Sequence, residues 1–324
     1  MRKVTTNLIK LTVSISLIFW LISGMDPGDV WQHIEAFNLW YLVPFLGLSL
    51  AGILVSVWKW GMVLQTVGLR PAMGSLLRLF WVGVFFNNFL PGRTGGDLVR
   101  AYGISRTSQD RVNAVLSVAI DRGLNLIAII GIGVLALVSH WEIVPETVKH
   151  QIPYWALGVL LVPFLIVLGV RQFRHRLGSL MNSAVQTGRS LIHRPGALLI
   201  PFALSALYQT TMILSTYAMA CALSIEVALE TYFFLIPITA LVTMLPISLN
   251  GFGLREGAYV VVFAPIGILP ETAIALSVVN TLGTIGVSLI GGILYAMGPL
   301  QVETQPHLSI SSSSNQELST LSVG

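Results

Sequence analysis

Long apolar runs alternate with short polar stretches along the chain, and most of the runs have the length of a membrane-spanning helix. A helix needs about 20 apolar residues to cross the hydrocarbon core of a bilayer. Two runs are shorter and carry a charge or a helix breaker, since 76–91 contains Arg78 and 256–269 contains Pro265. The runs lie near residues 11–25, 41–67, 76–91, 113–139, 153–170, 197–223, 231–249, 256–269 and 272–298.

This pattern predicts an all-α polytopic membrane protein with about seven to nine hydrophobic helical segments. The composition agrees, because 54% of the residues are hydrophobic and 10% are charged, whereas a soluble domain has about 25% charged residues. We expect one integral membrane domain over residues 1–299. The serine-rich tail, 300–324, has no apolar face to bury and is predicted to be a disordered cytoplasmic segment.

Basic residues in the loops predict the orientation of the chain, because cytoplasmic loops carry the excess of Lys and Arg. Residues 1–10 and 171–196 are basic, whereas 24–40 and 140–152 are mainly acidic. We therefore expect a multi-pass protein of the cytoplasmic membrane with both termini in the cytoplasm. The basic loop 171–196 is either an amphipathic helix lying on anionic lipid or an ordinary cytoplasmic loop.

The same charge count indicates that two segments enter the membrane and return without crossing it. Residues 67 and 112 both fall on the inner side, so 76–111 is predicted to be a re-entrant hairpin. For 231–269 the count allows two spans or a hairpin, and the glycines around residue 253 favour the hairpin. The two halves then form an inverted repeat, and broken segments at corresponding positions of such halves point to a transport site.

The first broken segment, NNFLPGRTGGDLVRAYGIS, covers residues 87–105. Its glycines allow a tight turn with bare N–H groups, and a helix that begins near Asp97 would direct its positive end toward that turn. Its arginines suit a phosphate, so the stretch predicts a site for a phospholipid head group. A plain cytoplasmic loop with solvated arginines is the alternative. The candidate ligands are Gly92, Arg93, Gly95, Gly96 and Arg100, with Asp97 balancing charge.

The second broken segment, SLNGFGLREGAY, covers residues 248–259. Arg255 and Glu256 lie between apolar runs, where an ionisable group is costly and marks a pathway or an ion pair. Adjacent helical residues do not face each other, so we expect their partners elsewhere, at Asp97 or Asp121. An interfacial loop is the alternative. Gly251, Gly253 and Arg255 complete the predicted ligands, and Glu256 is predicted to balance charge.

A third polar group interrupts the apolar run 113–139 in the sequence SVAIDRGLNL. Asp121 and Arg122 lie about two helical turns into this run. Arg122 is long enough to extend to the inner surface, whereas Asp121 is not. The pair is either a structural salt bridge between helices, or a counter-charge to a substrate or part of a proton relay.

Motifs of soluble enzymes and metal sites are missing from the sequence. It has no H-E-x-x-H or G-x-S-x-G pattern, and its one cysteine, Cys221, permits neither an internal disulfide nor a metal cluster. We expect no metal, no cofactor, no nucleic-acid partner and no enzymatic activity. The one catalytic alternative is the acidic loop with Asp26, Asp29 and Glu35, which could serve a glycosyl transfer from a lipid-linked sugar, although DPGD is also a good turn sequence.

Three ordered motifs resemble a known family. LPGRTGGDLVRAY resembles the LPGRxGExxRAY signature of the lysylphosphatidylglycerol synthase transmembrane-region family, also called flippase-like proteins. NGFGLREGAYVVVFAPIGI is similar to the second, Gly-rich motif of that family, and AIDRGLNL resembles its ERxxDL segment. The resemblance covers residues 8–298. It falls on Pro91, Gly92, Arg93, Gly95, Asp97, Arg100, Asp121, Arg122, Gly253, Arg255 and Glu256.

The resemblance implies a relative of the membrane domain of the multiple peptide resistance factor, which is similar to a flippase for aminoacylated phosphatidylglycerol. Stand-alone members have been linked to lipid-linked sugars and other lipids. This chain departs from the pattern at three places: Asp97 comes one place later than the family's Glu, Asp121 replaces Glu, and Asn125 stands where an acid is common. These departures put a proton-coupled mechanism in doubt.

The sequence therefore predicts a lipid transporter or flippase that binds an anionic phospholipid or a polyprenyl-phosphate-linked lipid. A membrane glycosyltransferase or its accessory is the first alternative, and a membrane scaffold is the second. The expected partners are membrane lipids, and homo-oligomerisation is left open.

Overall fold

The computed structural model describes residues 37–90, 95–106, 111–142, 146–150, 196–244 and 251–298, together with Gly28, Glu35 and Ser248. Eight α-helices of ten or more residues lie in this part of the chain. They are α1 (Leu42–Thr66), α2 (Met73–Phe89), α3 (Gly95–Ser105), α4 (Arg111–Ser139), α5 (Gly196–Ala222), α6 (Leu229–Thr243), α7 (Leu254–Phe263) and α8 (Pro270–Ala296).

Helix length divides these elements into spans and shorter segments. Helices α1, α4, α5 and α8 are long and apolar enough to cross a membrane. The other four have 10 to 17 residues, which at about 1.5 Å per residue is shorter than the roughly 30 Å hydrocarbon core. Their ends have local causes: Leu90 is extended after α2 because a following proline disfavours the helical conformation.

Most of the predicted apolar runs match the helices within three residues, but α6 and α7 each end six residues before the runs 231–249 and 256–269. The runs 113–139, 197–223 and 272–298 became α4, α5 and α8. The runs 11–25 and 153–170, the loop 171–196 and the tail 300–324 lie outside the described residues.

Helices α2 and α3 pack side by side in opposite directions and form the first hairpin. Gly103, near the end of α3, packs on Leu79 near the start of α2, and Gly96, at the start of α3, packs on Gly83 farther along α2. Arg78 donates hydrogen bonds to the carbonyls of Leu294 (3.0 Å) and Gly298 (2.9 Å) at the end of α8. The first hairpin therefore begins and ends on one side of the protein, together with the end of α8. We call this the Arg70 side, after the α1–α2 loop.

Helices α6 and α7 form the second hairpin on the opposite side, which we call the Glu142 side. The amide of Asn38 donates to the carbonyl of Ala222 at 2.9 Å, so α5 ends where α1 begins, and α6 follows at once. After α7, the 3₁₀ helix Ala264–Ile266 contacts the one-turn helix Glu146–Lys149 that follows α4. The second hairpin thus starts and ends on the Glu142 side. Two spans would also return there, but α6 and α7 have only 15 and 10 residues, too short to cross a bilayer, which agrees with the predicted hairpin.

The two halves, α1–α4 and α5–α8, form an inverted repeat. Helices α1 and α5 cross antiparallel, with Ser49 bonded to Ser215 at 3.2 Å and Gly52 packed on Thr211. The other helix contacts occur in matching pairs: α2 packs on α8 as α6 packs on α4, and α3 packs on α4 as α7 packs on α8. Because the equivalent helices α1 and α5 run antiparallel, the axis that relates the two halves is a two-fold axis perpendicular to these helices, in the plane of the membrane. The predicted inverted topology is confirmed.

Cysteine labelling tests this topology. In a Cys221→Ser background, single cysteines at Arg106 and Met297, both exposed, are expected to react with a membrane-impermeant maleimide from one side only. Cysteines at Glu142 and Leu269, also exposed, are expected to react only from the other side, because the second hairpin returns there. Labelling of Leu269→Cys from the same side as Arg106→Cys would contradict the return of the second hairpin to the Glu142 side.

Candidate functional site

Five ionisable side chains from three helices meet beside the first hairpin, and we call them the charge cluster. Lys59 comes from α1, Asp97 and Arg100 from α3, and Asp121 and Arg122 from α4. Three of them are almost completely buried, with exposed fractions of 0% for Lys59, 4% for Arg100 and 2% for Asp121. Buried charges are costly without partners, so their pairing determines whether this arrangement is stable.

The cluster is a row in which cations and carboxylates alternate. Lys59 Nζ lies 2.8 Å from one oxygen of Asp121, and Arg100 Nη2 lies 3.0 Å from the other. Arg100 Nη1 is 3.6 Å from Asp97 Oδ1, and Arg122 Nε donates to Asp97 Oδ2 at 2.8 Å. The order is therefore Lys59, Asp121, Arg100, Asp97 and Arg122, with a cation at each end.

Helical spacing explains how so few residues make this row. Asp97 and Arg100 are three residues apart on α3, so their side chains lie on one face. Asp121 and Arg122 are adjacent on α4 and point in different directions, the first toward Lys59 and the second toward Asp97. The sequence pair therefore bonds in two separate places rather than to itself.

Aromatic rings enclose the central guanidinium of the cluster. Arg100 Cζ lies 4.1 Å from the ring centre of Trp60 and 4.5 Å from that of Phe80. Buried cation–π contacts contribute up to about 2 kcal/mol. Gly83 leaves room for the aliphatic part of Arg100, because a Cβ there would lie 2.9 Å from Arg100 Cγ.

Uncharged polar groups connect the buried end of the cluster to the second half of the protein. Lys59 Nζ donates to Asn125 Oδ1 at 2.7 Å, and Gln209 of α5 donates to the Asn125 carbonyl at 2.9 Å. The ring of Tyr208 lies 5.6 Å from Lys59 Nζ. The chain has Asn125 where the family pattern often has an acid, and here the amide accepts a hydrogen bond from a lysine.

The other end of the cluster is accessible. The Arg122 side chain is 42% exposed and that of Asp97 is 14% exposed. Three cations share two carboxylates, so the cluster carries one uncompensated positive charge. Its accessible end presents a guanidinium, a group that binds phosphate in a bidentate manner.

Two predicted glycine ligands have a packing role. Gly95 and Gly96 begin α3, two residues before the predicted start, and the Gly96 amide donates to Asn87 Oδ1 at 2.9 Å. A Cβ on Gly96 would lie 1.8 Å from the Gly83 carbonyl oxygen. The amide of Gly96 therefore already has a partner in the first hairpin. Pro91, Gly92 and Arg93 lie outside the described residues.

Arg255 and Glu256 occupy the corresponding place in the second half, at the start of α7. Gly251 and Gly253 have φ of +82° and +78°, a left-handed conformation that favours glycine, as the predicted turn requires. Arg255 Nη1 donates to Thr281 Oγ1 of α8. Glu256 accepts from the Gly253 amide at 2.7 Å and from Ser277 at 3.3 Å.

The expected partnership of Arg255 and Glu256 with Asp97 or Asp121 is wrong. Within the described part of the chain, the ion pairs of Asp97 and Asp121 are made with Lys59, Arg100 and Arg122. The second half thus has its own, largely hydroxyl-based cluster, at the place that the inverted repeat gives it.

Lys59 is the main residue that sequence reasoning missed. It lies inside the run 41–67, seven residues before the end of α1, which is about 10 Å of helix. A lysine within an apolar span marks a functional site by default, so the signal was present. Its partners Asp121 and Asn125 come from α4, however, and the sequence did not indicate that pairing.

Comparison with known proteins agrees with this architecture. Residues 7–292 match the family described as the lysylphosphatidylglycerol synthase TM region. Two UPF0104 membrane proteins of Methanothermobacter thermautotrophicus are similar to the chain: one is 21% identical over 305 residues, covering 85% of this chain and 90% of the relative. The other is 24% identical over 323 residues, covering 86% and 90%. With four candidate spans and a match over most of its length, the chain is an integral membrane protein that belongs to the lysylphosphatidylglycerol synthase transmembrane-region family.

Proposed function

We propose that this protein is a lipid transporter that binds an anionic head group and moves the lipid between the leaflets of the cytoplasmic membrane. The observation that carries the proposal is the charge cluster. Its buried end is an ion-paired lysine and its accessible end is Arg122. Charges at this depth are expensive to keep, and a surplus cation beside a partly exposed arginine favours the capture of an anion.

The architecture supports transport rather than simple binding. The two hairpins enter from opposite sides, and each places a polar cluster between a short helix and the span that follows it. Inverted repeats with broken helices allow a protein to open alternately to either side around a central site. The alternative of a membrane glycosyltransferase depends on Asp26, Asp29 and Glu35; Asp26 and Asp29 lie outside the described residues.

Reconstitution in vesicles tests the proposal. Proteoliposomes with tail-labelled phosphatidylglycerol are expected to exchange the label between leaflets faster than empty vesicles. Arg122→Gln is expected to slow this exchange by about tenfold, because the bidentate phosphate contact is lost, while the folded protein persists since Arg122 is partly exposed. The measurement is the rate at which an external quencher removes label that has moved outward.

Arg111→Gln is the matched control, because Arg111 begins α4 as an exposed arginine away from the cluster. It is expected to keep the wild-type rate. Exchange no faster than in empty vesicles, over a panel of anionic lipids, would refute lipid transport. Equal rates for Arg122→Gln and Arg111→Gln would show that the charge cluster is not the head-group site.

A further inference from the structure

We infer that the charge cluster selects lipids by net charge, and that it takes a head group with one net negative charge, a phosphodiester without a balancing cation. This rests on the proposed function and names the substrate class of the same site. The basis is the composition of the row: Lys59, Arg100 and Arg122 against Asp97 and Asp121. One monoanion makes the row neutral.

Neutrality matters here because the cluster is largely shielded from water. Lys59, Arg100 and Asp121 are at most 4% exposed, and a net charge in such surroundings is far less stable than a compensated one. The remaining neighbours of the row among the described residues are uncharged: Trp60 and Phe80 at Arg100, and Asn125 and Tyr208 at Lys59. They add no charge to the count.

One link of the row, between Arg100 and Asp97, is longer than a hydrogen bond. Arg100 Nη1 and Asp97 Oδ1 are 3.6 Å apart, beyond hydrogen-bond distance. Arg100 Nε, Asp97 Oδ1 and Asp121 Oδ1 are buried without a hydrogen-bond partner in the part of the chain that the structure describes. Of the two carboxylate oxygens, that of Asp121 has a close ion pair, with Lys59 at 2.8 Å, whereas that of Asp97 does not. Arg100 Nε is a donor and Asp97 Oδ1 is an acceptor. A ligand that both accepts and donates hydrogen bonds, such as a phosphate with a neighbouring hydroxyl, would satisfy the two.

The two ends of the row have different roles in this scheme. Arg122, which is partly exposed, contacts the phosphate. Lys59 is buried and does not contact the head group first; it acts as a specificity-determining residue. It forms an ion pair with one oxygen of Asp121 at 2.8 Å, and as the third cation it makes the cations of the row outnumber its two carboxylates. A zwitterionic lipid would leave the surplus charge in place, and a lipid with a net positive head group would add to it.

Competition between two lipids in one vesicle tests the inference. The measurement is the ratio of their exchange rates, which does not depend on how much active protein each vesicle holds. Wild-type protein is expected to exchange tail-labelled phosphatidylglycerol about tenfold faster than tail-labelled phosphatidylcholine. Lys59→Met makes the cluster neutral and leaves Asp121 paired with Arg100, so this ratio should fall toward one. Asp97→Asn raises the surplus charge and should keep or increase the ratio. Arg111→Gln, outside the cluster, should leave it unchanged.

Two further lipids show whether the phosphodiester belongs to a polyprenyl carrier or to a glycerophospholipid. A polyprenyl phosphodiester sugar that inhibits phosphatidylglycerol exchange would identify the polyprenyl carrier as an equal substrate, whereas no inhibition would restrict the site to glycerophospholipids. Lysylated phosphatidylglycerol, whose head group is net positive, is expected to move more slowly than phosphatidylglycerol.

The failures are distinguishable. If no lipid exchanges faster than in empty vesicles, lipid transport itself is refuted. If phosphatidylglycerol and phosphatidylcholine exchange at equal rates, or if Lys59→Met keeps the wild-type ratio, transport stands and charge selection is overturned. If Lys59→Met does not fold, Asp97→Asn decides, since a fall in its ratio contradicts the charge count.

Discussion

Asp121→Asn is expected to remove most of the folded protein from detergent extracts. The carboxylate of Asp121 is shared by Lys59 and Arg100 at 2.8 and 3.0 Å and is 2% exposed. Asparagine has nearly the same shape but no charge, so two buried cations would lose their common counter-charge. Removal of one partner from a buried ion pair costs about 3–5 kcal/mol, a large part of a typical stability of about 5–15 kcal/mol. The measurement is the monodisperse fraction after solubilisation, together with the thermal midpoint.

The double variant Lys59→Met/Asp121→Asn is the control for this effect. It removes one cation with the carboxylate and leaves Arg100 beside Asp97, so it is expected to be more stable than Asp121→Asn alone. Lys59→Met by itself should be mild, because Asp121 keeps Arg100. The double-mutant cycle measures the coupling between the two residues. A single Asp121→Asn variant as stable as wild-type protein would show that water, and not the ion pairs, compensates these charges.

Gly96→Ala is expected to separate the two helices of the first hairpin. An added Cβ would lie 1.8 Å from the carbonyl oxygen of Gly83 and 2.8 Å from the side chain of Asn87. The first of these is a backbone atom, which cannot rotate away, so α3 has to shift relative to α2. Overpacking typically costs about 1–3 kcal/mol and sometimes more. Because Arg100 lies one turn farther along α3, its ion pairs with Asp121 should weaken too, and both the thermal midpoint and lipid exchange should fall.

Gly74→Ala is the matched control, since Gly74 lies in the same hairpin with open space around its Cβ position. Alanine is the better helix former by about 1 kcal/mol, so this variant should be neutral or slightly more stable. If Gly96→Ala and Gly74→Ala have the same thermal midpoint, the close approach of α2 and α3 is absent from the protein in solution.

Much of the fold was predictable because the bilayer imposes length and charge rules that act locally along the chain. Apolar runs marked α4 and α8 within two residues of their ends. Lys and Arg counts indicated that 76–111 returns to its own side, and the contact of Arg78 with the end of α8 agrees. Gly251 and Gly253 marked the turn of the second hairpin, because glycine adopts a positive φ without steric cost and both residues have one.

The partners of the charged residues were less predictable. Arg100, Asp121 and Arg122 stood out as ionisable groups among apolar neighbours, but the pairing of Arg255 with Asp97 or Asp121 was wrong. Which side chains meet depends on the rotation and crossing of packed helices. A rotation of α3 by one residue would move Arg100 away from the gap between Trp60 and Phe80.

By itself, the sequence determined that this protein is a helical membrane protein with a first hairpin at 76–111, and it only favoured a second hairpin at 231–269 over two spans. Hydrophobic length, loop charge and glycine conformation are properties of short segments, which is why the sequence reveals them. Only the tertiary structure decided that Lys59 joins the first hairpin, that Asp121 serves two cations at once, and that one positive charge is left over. The physical reason is that ion pairing is a short-range interaction between residues distant in sequence, and its energy depends on burial that arises when the helices pack.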